Sequence, residues 1–321
     1  MQQHIDRPRQ KLVFLSLPLL LWAVLIQGST PARAQSSVRG FSVLTAGGAD
    51  TGAGTGAEAL SSASTADPAA EAESISLSNA MPKQGEVIEL RVKDPGATEA
   101  LFLGSKYKLF TGADGVFRCL LTMPAVQKPG PAKIVVGPLS RSVTIVDAHF
   151  PVQRLTLPKS KNNFDMAKGE KEAVEGAKAT LSSERLWTGN FHLPSRARIS
   201  AGFGMRRIVN GVLLDDYFHS GYDFAGYQGS PIVACASGKV VLARGGFKLH
   251  GNTVAIDHGQ GVVSFYIHMQ KLLVKEGQTV SAGEQIGTVG QTGRANGPHL
   301  HFSIYVNQVA SNPGQWFKKA L

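Results

Sequence analysis

Short runs of alternating apolar and polar residues fill most of the chain beyond residue 74. In VIELRV, Ile88, Leu90 and Val92 fall on one face against Glu89 and Arg91, and Phe117, Cys119, Leu121 and Met123 repeat the alternation in VFRCLLTM. A period of two is the mark of a strand with one buried face. The neighbouring runs ALFLGSKYKLF, AKIVV and SVTIVDAHF are separated by PKQG, DPG, GADG and KPG. Turn-forming clusters at that spacing predict a small antiparallel β-sandwich over residues 74–150. A second β-rich stretch occupies 193–321, with strands at PIVACA, KVVLARG, NTVAID, VVSFYIH and HLHFSIYV and a hairpin signal in DHGQG. Between the two, residues 151–192 read as a linker. Its segment NFDMAKGEKEAVEGAKATLSSER predicts a helix with a cap at Asp165, weakened by Gly169 and Gly176.

The first 73 residues have another texture. Arg7, Arg9 and Lys11 precede an apolar run, Leu12 to Ile26, and Ala32-Arg33-Ala34 follows it. That order is expected of a cleavable signal peptide over residues 1–34. The rival is an uncleaved membrane anchor, but Pro18 interrupts the run and a spanning helix needs about 20 apolar residues. No cysteine near the site offers a point for lipid attachment. Residues 35–73, rich in Ala, Gly, Ser and Thr, cannot bury enough surface to offset their ordering entropy and are expected to form a flexible linker. The expectation is an exported chain in the periplasm or cell envelope, without stable membrane insertion after cleavage.

Residues 1–34 carry four basic groups and Asp6, so +7 remains of the formal +10. A modest, unclustered positive charge suits an anionic wall or membrane surface and gives no nucleic-acid stripe. Cys119 and Cys235 sit in apolar runs of different predicted domains and read as small buried hydrophobes, with a single inter-domain bridge as the alternative.

Six of the nine histidines lie after residue 193. In GPHLHFSIY, His299 and His301 share one face of a strand, which is also the pattern of a hydrogen-bonded core pair. In HSGYD, His219 and Asp223 stand four apart and share a face if the segment is extended. Together with His301 they make a set of two nitrogens and one oxygen suited to zinc, with a fourth position left for water. Activated water needs a group to take and return its proton, and His268 and His299 are the candidates.

The segment from Arg198 to Trp316 resembles the LytM/lysostaphin-type zinc metallopeptidases, which cut peptide cross-links in bacterial cell walls. The resemblance is carried in order by FGMR, HSGYDFA, GSPIVACASGKV, GNTVAIDHGQG, FYIHM, VKEGQTVSAGEQIGTVGQTG and GPHLHF. It implies a C-terminal β-sandwich with a metal-floored groove, zinc on His219, Asp223 and His301, catalytic assistance from His268 and His299, and a substrate-side or supporting role for Arg206. Peptidoglycan is the implied partner. Residues 74–150 are similar to the small immunoglobulin-like domain preceding the peptidase in some envelope members, so the fold class expected is all-β throughout. Two departures stand out: FKLHGN replaces a glycine-aromatic-glycine approach, and Ser303 stands where an acidic residue is frequent. His250 then reads as a solvent-exposed loop residue, with a substrate-facing position as the alternative, and His258 as structural.

The main alternative is a non-catalytic wall-binding or hydrolase-activating protein on the same fold; degenerate members of that kind lack the metal ligands present here. A biotinyl or lipoyl carrier is disfavoured because no lysine sits at the tip of the VKEGQTVSAGEQIGTVG turn. A latent form, in which residues 75–190 lie across the groove, is a further expectation to be tested. The sequence leaves open the cross-link cleaved, the oligomeric state, and which of His268 and His299 is the general base.

Overall fold

The computed structural model describes residues 74–93, 96–156 and 165–318. The expected signal peptide and flexible linker lie outside these residues, and none of the described helices is long and apolar enough to cross a membrane.

The first sandwich has two four-stranded antiparallel sheets. One runs in the order Ile75–Leu77, Val87–Val92, Phe117–Thr122, Phe110–Thr111, and the other Ser105–Lys108, Glu99–Phe102, Gly130–Val136, Leu139–Ile145. The alternation read from the sequence decides which side chains enter the core. Ile88, Leu90 and Val92 meet Ile134, Val136 and Val143 across the sandwich, joined by Cys119, Leu121 and Met123. The opposite face of the same strands is only partly polar, for Val87 and Leu120 belong to the core of the second sandwich. Gln315 fastens that junction, accepting from the Val87 amide at 2.8 Å and donating to the Val87 carbonyl at 2.7 Å.

The second sandwich is built on a long sheet ordered Arg198–Ala201, Tyr222–Ala225, Leu300–Val306, Val262–Met269, Asn252–Gly259, Gly238–Arg244, Thr279–Val280. Its inner face carries Tyr266, Phe302 and Ile304, which pack against Ile232 and Ile286 of a three-stranded sheet, Pro231–Val233, Gln285–Thr288 and Lys271–Leu272. Cys235 is enclosed in this core, and both cysteines are buried free thiols. Burial pushes each thiol up to about 12, as expected of inert small hydrophobes.

The segment read as a linker is integrated into the second sandwich. Val152–Leu155 pairs in parallel with Arg206–Val209. Trp187 and Phe191 enter the main core, where both rings lie against Trp316 of a short helix, Pro313–Lys318. The predicted helix is confined to Glu170–Lys178, and its cap is Gly169, not Asp165. Gly169 holds φ at 76°, a left-handed conformation that a residue without Cβ adopts at little cost. Asp165 is instead exposed and paired with Lys248 at 3.1 Å. Val174 and Ala177 fasten the helix to Leu242, Ala255, Val263 and Phe265 on the outer face of the long sheet.

Candidate metal centre and groove

Strand pairing brings the three expected ligands together. Tyr222–Ala225 lies antiparallel to Leu300–Val306 with Asp223 directly opposite His301. His219, just upstream, is held by the FGMR segment: its amide donates to the Met205 carbonyl at 2.9 Å and its carbonyl accepts from Gly204 at 2.8 Å. Between them, Gly221 passes so close to the neighbouring strand that a Cβ there would stand 2.1 Å from the Phe302 carbonyl oxygen. Only glycine permits that approach, and the approach carries His219 over the strand edge toward Asp223.

His219 Nε2 lies 3.0 Å from Asp223 Oδ1 and 3.0 Å from His301 Nδ1, while His301 Nδ1 is 2.8 Å from the same carboxylate oxygen. The converging atoms of His219, Asp223 and His301 all fall within 4.8 Å of one another. His219 Nδ1 donates to the Gly202 carbonyl at 2.7 Å, which leaves Nε2 with only a lone pair toward the cluster. His301 turns its other nitrogen, Nε2, to Ser303 Oγ at 2.7 Å. A hydrogen-bonded outer nitrogen on each imidazole is the arrangement that orients metal-binding histidines. The donor set is therefore an anionic oxygen and two imidazole nitrogens, a composition that fits a divalent cation of borderline softness.

His268 and His299 flank this cluster with ring centroids 4.9 Å apart. Each has its Nδ1 against a backbone carbonyl, His268 to Thr292 at 2.9 Å and His299 to Gly297 at 2.8 Å. Since a carbonyl only accepts, both rings carry the proton on Nδ1 and keep Nε2 as a base. His299 Nε2 stands 4.0 Å from Asp223 Oδ1. Burial, reinforced by the fields of His301 and His299, pushes His268 down to about 3. His268 also holds φ at 63°, a costly backbone state for a residue with a Cβ and one that clusters at functional sites.

All five residues line one cavity of about 850 Å³. Arg206 is not among its lining residues; Arg207 is, because successive residues of Arg206–Val209 face opposite ways. Arg207 donates to the Tyr217 hydroxyl at 3.0 Å on the cavity wall. Among the described residues before Leu193, Gln153 alone lines the cavity. The first sandwich contributes nothing to it, so the described part of residues 75–190 does not lie across the groove.

Two expectations about the remaining histidines meet different outcomes. His258 is fully enclosed, bonded to the Ser237 carbonyl and Ser264 Oγ, each at 2.8 Å, and burial pushes it down to about 4. His250 is not a solvent-exposed loop residue: its Nδ1 lies 2.7 Å from Oε1 of the buried Glu170. Sequence reasoning missed Glu170 because nothing in an exposed-looking charged helix marks one of its acids as buried. It also passed over Ser303 as a bonding partner, although the period of two that joins His299 to His301 extends to residue 303.

An all-β chain with two imidazoles and a carboxylate gathered on the floor of a groove defines the class: a β-sandwich protein with a candidate metal centre. Residues 217–313 match the model of Peptidase family M23, and the chain carries a domain of that family. The peptidoglycan DD-endopeptidase ShyA of Vibrio cholerae is 41% identical over 116 residues, which is 36% of this chain and 26% of that protein. The DD-carboxypeptidase/endopeptidase Mpg of Neisseria meningitidis is likewise 41% identical over 116 residues, with the same shares of 36% and 26%. This chain thus spans about a quarter of the length of these curated relatives. A crystal structure from Pseudomonas aeruginosa described as a peptidase M23 superposes with a TM-score of 0.54 at 27% identity, covering 74% of this chain and 95% of that one. That coverage takes in residues outside the second sandwich.

Proposed function

We propose that this chain is an exported, zinc-dependent endopeptidase that hydrolyses peptide cross-links of bacterial peptidoglycan in the periplasm or cell envelope. The observation that carries the reading is the convergence of His219 Nε2, Asp223 Oδ1 and His301 Nδ1, in the M23 domain, on one point of a groove wall. Relatives that act on peptidoglycan supply the substrate class.

His219, Asp223 and His301 would hold the zinc ion, with Gly202 and Ser303 orienting the two imidazoles. When bound, the ion supplies Lewis acidity that makes water a nucleophile near neutral pH and polarises the scissile carbonyl. The chain's own contribution is to manage protons and charge. Nε2 of His268 and of His299 are the bases within the site, one taking the proton of the attacking water and returning it to the leaving amine. The other, entering the cycle with a second proton taken from solvent, donates from Nε2 to the oxyanion that develops on the carbonyl. Arg207 and Tyr217 place polar side chains on the groove wall, where a bound peptide would lie.

The test is digestion of purified peptidoglycan by the zinc-loaded protein, with mass spectrometry of the released fragments. New amine and carboxylate ends at peptide cross-links are expected. Intact cross-links after prolonged incubation would overturn the reading.

A further inference from the structure

The unabsorbed feature of the site is a buried acid from outside the matched family segment. Glu170, at the start of the helix Glu170–Lys178, is fully buried. Its Oε2 accepts from the amides of Ala167 at 2.7 Å and Lys248 at 2.8 Å. Its Oε1 accepts from the amides of Leu249 at 3.0 Å and His250 at 2.9 Å, and lies 2.7 Å from His250 Nδ1. One carboxylate thus gathers three consecutive amides of the loop and the imidazole that follows. Burial opposes its charge, but these bonds outweigh burial and bring it down to about 2, so it is an anion throughout the working range. An anionic acceptor obliges His250 to carry its proton on Nδ1. The other nitrogen, Nε2, is then a lone-pair acceptor, and it has no hydrogen-bond partner among the described residues.

The loop so gathered is part of the groove. Leu249 and His250 line the cavity that contains the candidate metal centre, and the His250 side chain keeps 16% of its surface open. The His250 carbonyl accepts from the His268 amide at 2.9 Å, and the Leu249 carbonyl accepts from Arg294 at 3.0 Å on the facing loop. A rigid wall with one fixed acceptor nitrogen, beside a site for peptide hydrolysis, has a chemical complement: an N–H donor on the bound peptide.

We propose that His250 is a substrate-contacting residue whose Nε2 accepts a backbone N–H of the peptide in the groove, and that Glu170 is the positioning residue that sets its tautomer and place. This inference rests on the peptidase reading for its substrate class. It also makes residues 165–178 a working part of the peptidase, since they supply the acid that shapes the wall.

Its test uses the full zinc-loaded chain and disaccharide-tetrapeptide dimers from digested peptidoglycan as the probe. His250→Asn keeps a donor for Glu170 and removes the Nε2 acceptor, whereas His250→Gln places an amide oxygen near the Nε2 position. His250→Asn is expected to raise KM about tenfold, the worth of one hydrogen bond, with kcat within threefold and zinc content unchanged. His250→Gln should recover most of the loss, and Glu170→Gln should reproduce the KM rise because its amide cannot accept all five donors. In the wild-type chain the ¹⁵N signal of His250 Nε2 should shift on adding the dimer, whether or not it is cut. Wild-type KM in His250→Asn overturns the proposal, and so does loss of zinc or of saturated turnover, which would make His250 a support of the metal centre. Cleavage without a His250 shift sinks this inference and leaves the peptidase reading standing. A shift without cleavage does the reverse, and neither binding nor cleavage sinks both.

Discussion

The two sandwiches of this protein are assembled from similar alternating strands but differ in what they enclose. Among described residues, the first sandwich buries Glu89 and Thr122 as its polar groups, and Glu89 is paired to Arg91 at 2.6 Å on its margin. The second buries His219, Asp257, His258, Ser264, His268 and Ser303 inside or beside its core. Each such group must be matched by a hydrogen bond to avoid a cost of about 1–3 kcal/mol. Stability alone gives no reason to prefer them to aliphatic residues. The comparison teaches where to look for chemistry: the first sandwich has an apolar interior and lines no part of the groove, and the one that tolerates buried imidazoles is organised around a site.

The sharpest way to break that contrast is at the three candidate metal ligands. Alanine at His219, Asp223 or His301 should abolish both zinc retention and peptidoglycan digestion, measured by metal analysis and fragment release. His268→Ala should instead keep its zinc and lose about 10²–10⁴-fold in turnover, as removal of a proton carrier does. Zinc lost equally in all four variants would erase the distinction between ligand and base.

A core deletion in the first sandwich should behave in the opposite way. Leu121→Ala is expected to cost about 2–5 kcal/mol by denaturant unfolding while zinc stoichiometry in the folded protein stays the same. A parallel loss of zinc would show that the two sandwiches are one cooperative unit.

The buried imidazole of His258 predicts an acid limb specific to the second sandwich. Its folded pKa of about 4 lies below the ordinary 6.5, so the unfolded chain binds that proton more readily. The contribution is full above about pH 6.5 and is lost as pH falls through about 4, on the order of 3 kcal/mol. His258→Gln, which cannot titrate, should flatten unfolding free energy over that window; an unchanged slope would assign the limb to other groups.

The smallest effect is expected at the junction. Gln315→Ala removes both side-chain bonds to Val87 and should cost about 1 kcal/mol, with the metal site intact. Hydrogen exchange of the Val87 amide would report it.

The legible and illegible parts of the molecule divide along a physical line. Strand alternation placed Ile88, Leu90 and Val92 correctly because a pleated strand exposes each residue to one face by parity alone. Parity also put His299 and His301 on one face, but the register that sets Asp223 opposite His301 belongs to the pairing of their strands and not to spacing. The helix was anticipated in type but not in extent or cap, since local capping rules point to Asp165, which pairs with Lys248 instead, while Glu170 answers to donors on a loop some 80 positions away. His250 failed for the same reason: its partner is distant in sequence and ordinary in composition.

By itself the sequence determined the all-β character and the faces of the strands, and it offered the histidines and the carboxylate as candidates for chemistry, because these depend on period and residue type. Tertiary structure alone decided that Val87 and Leu120 would close a second core, that the linker would pack into the second sandwich, and that Glu170 would gather the loop carrying Leu249 and His250 of the groove wall. Those outcomes depend on which surfaces meet, and a meeting between distant segments leaves no mark on the local pattern of either.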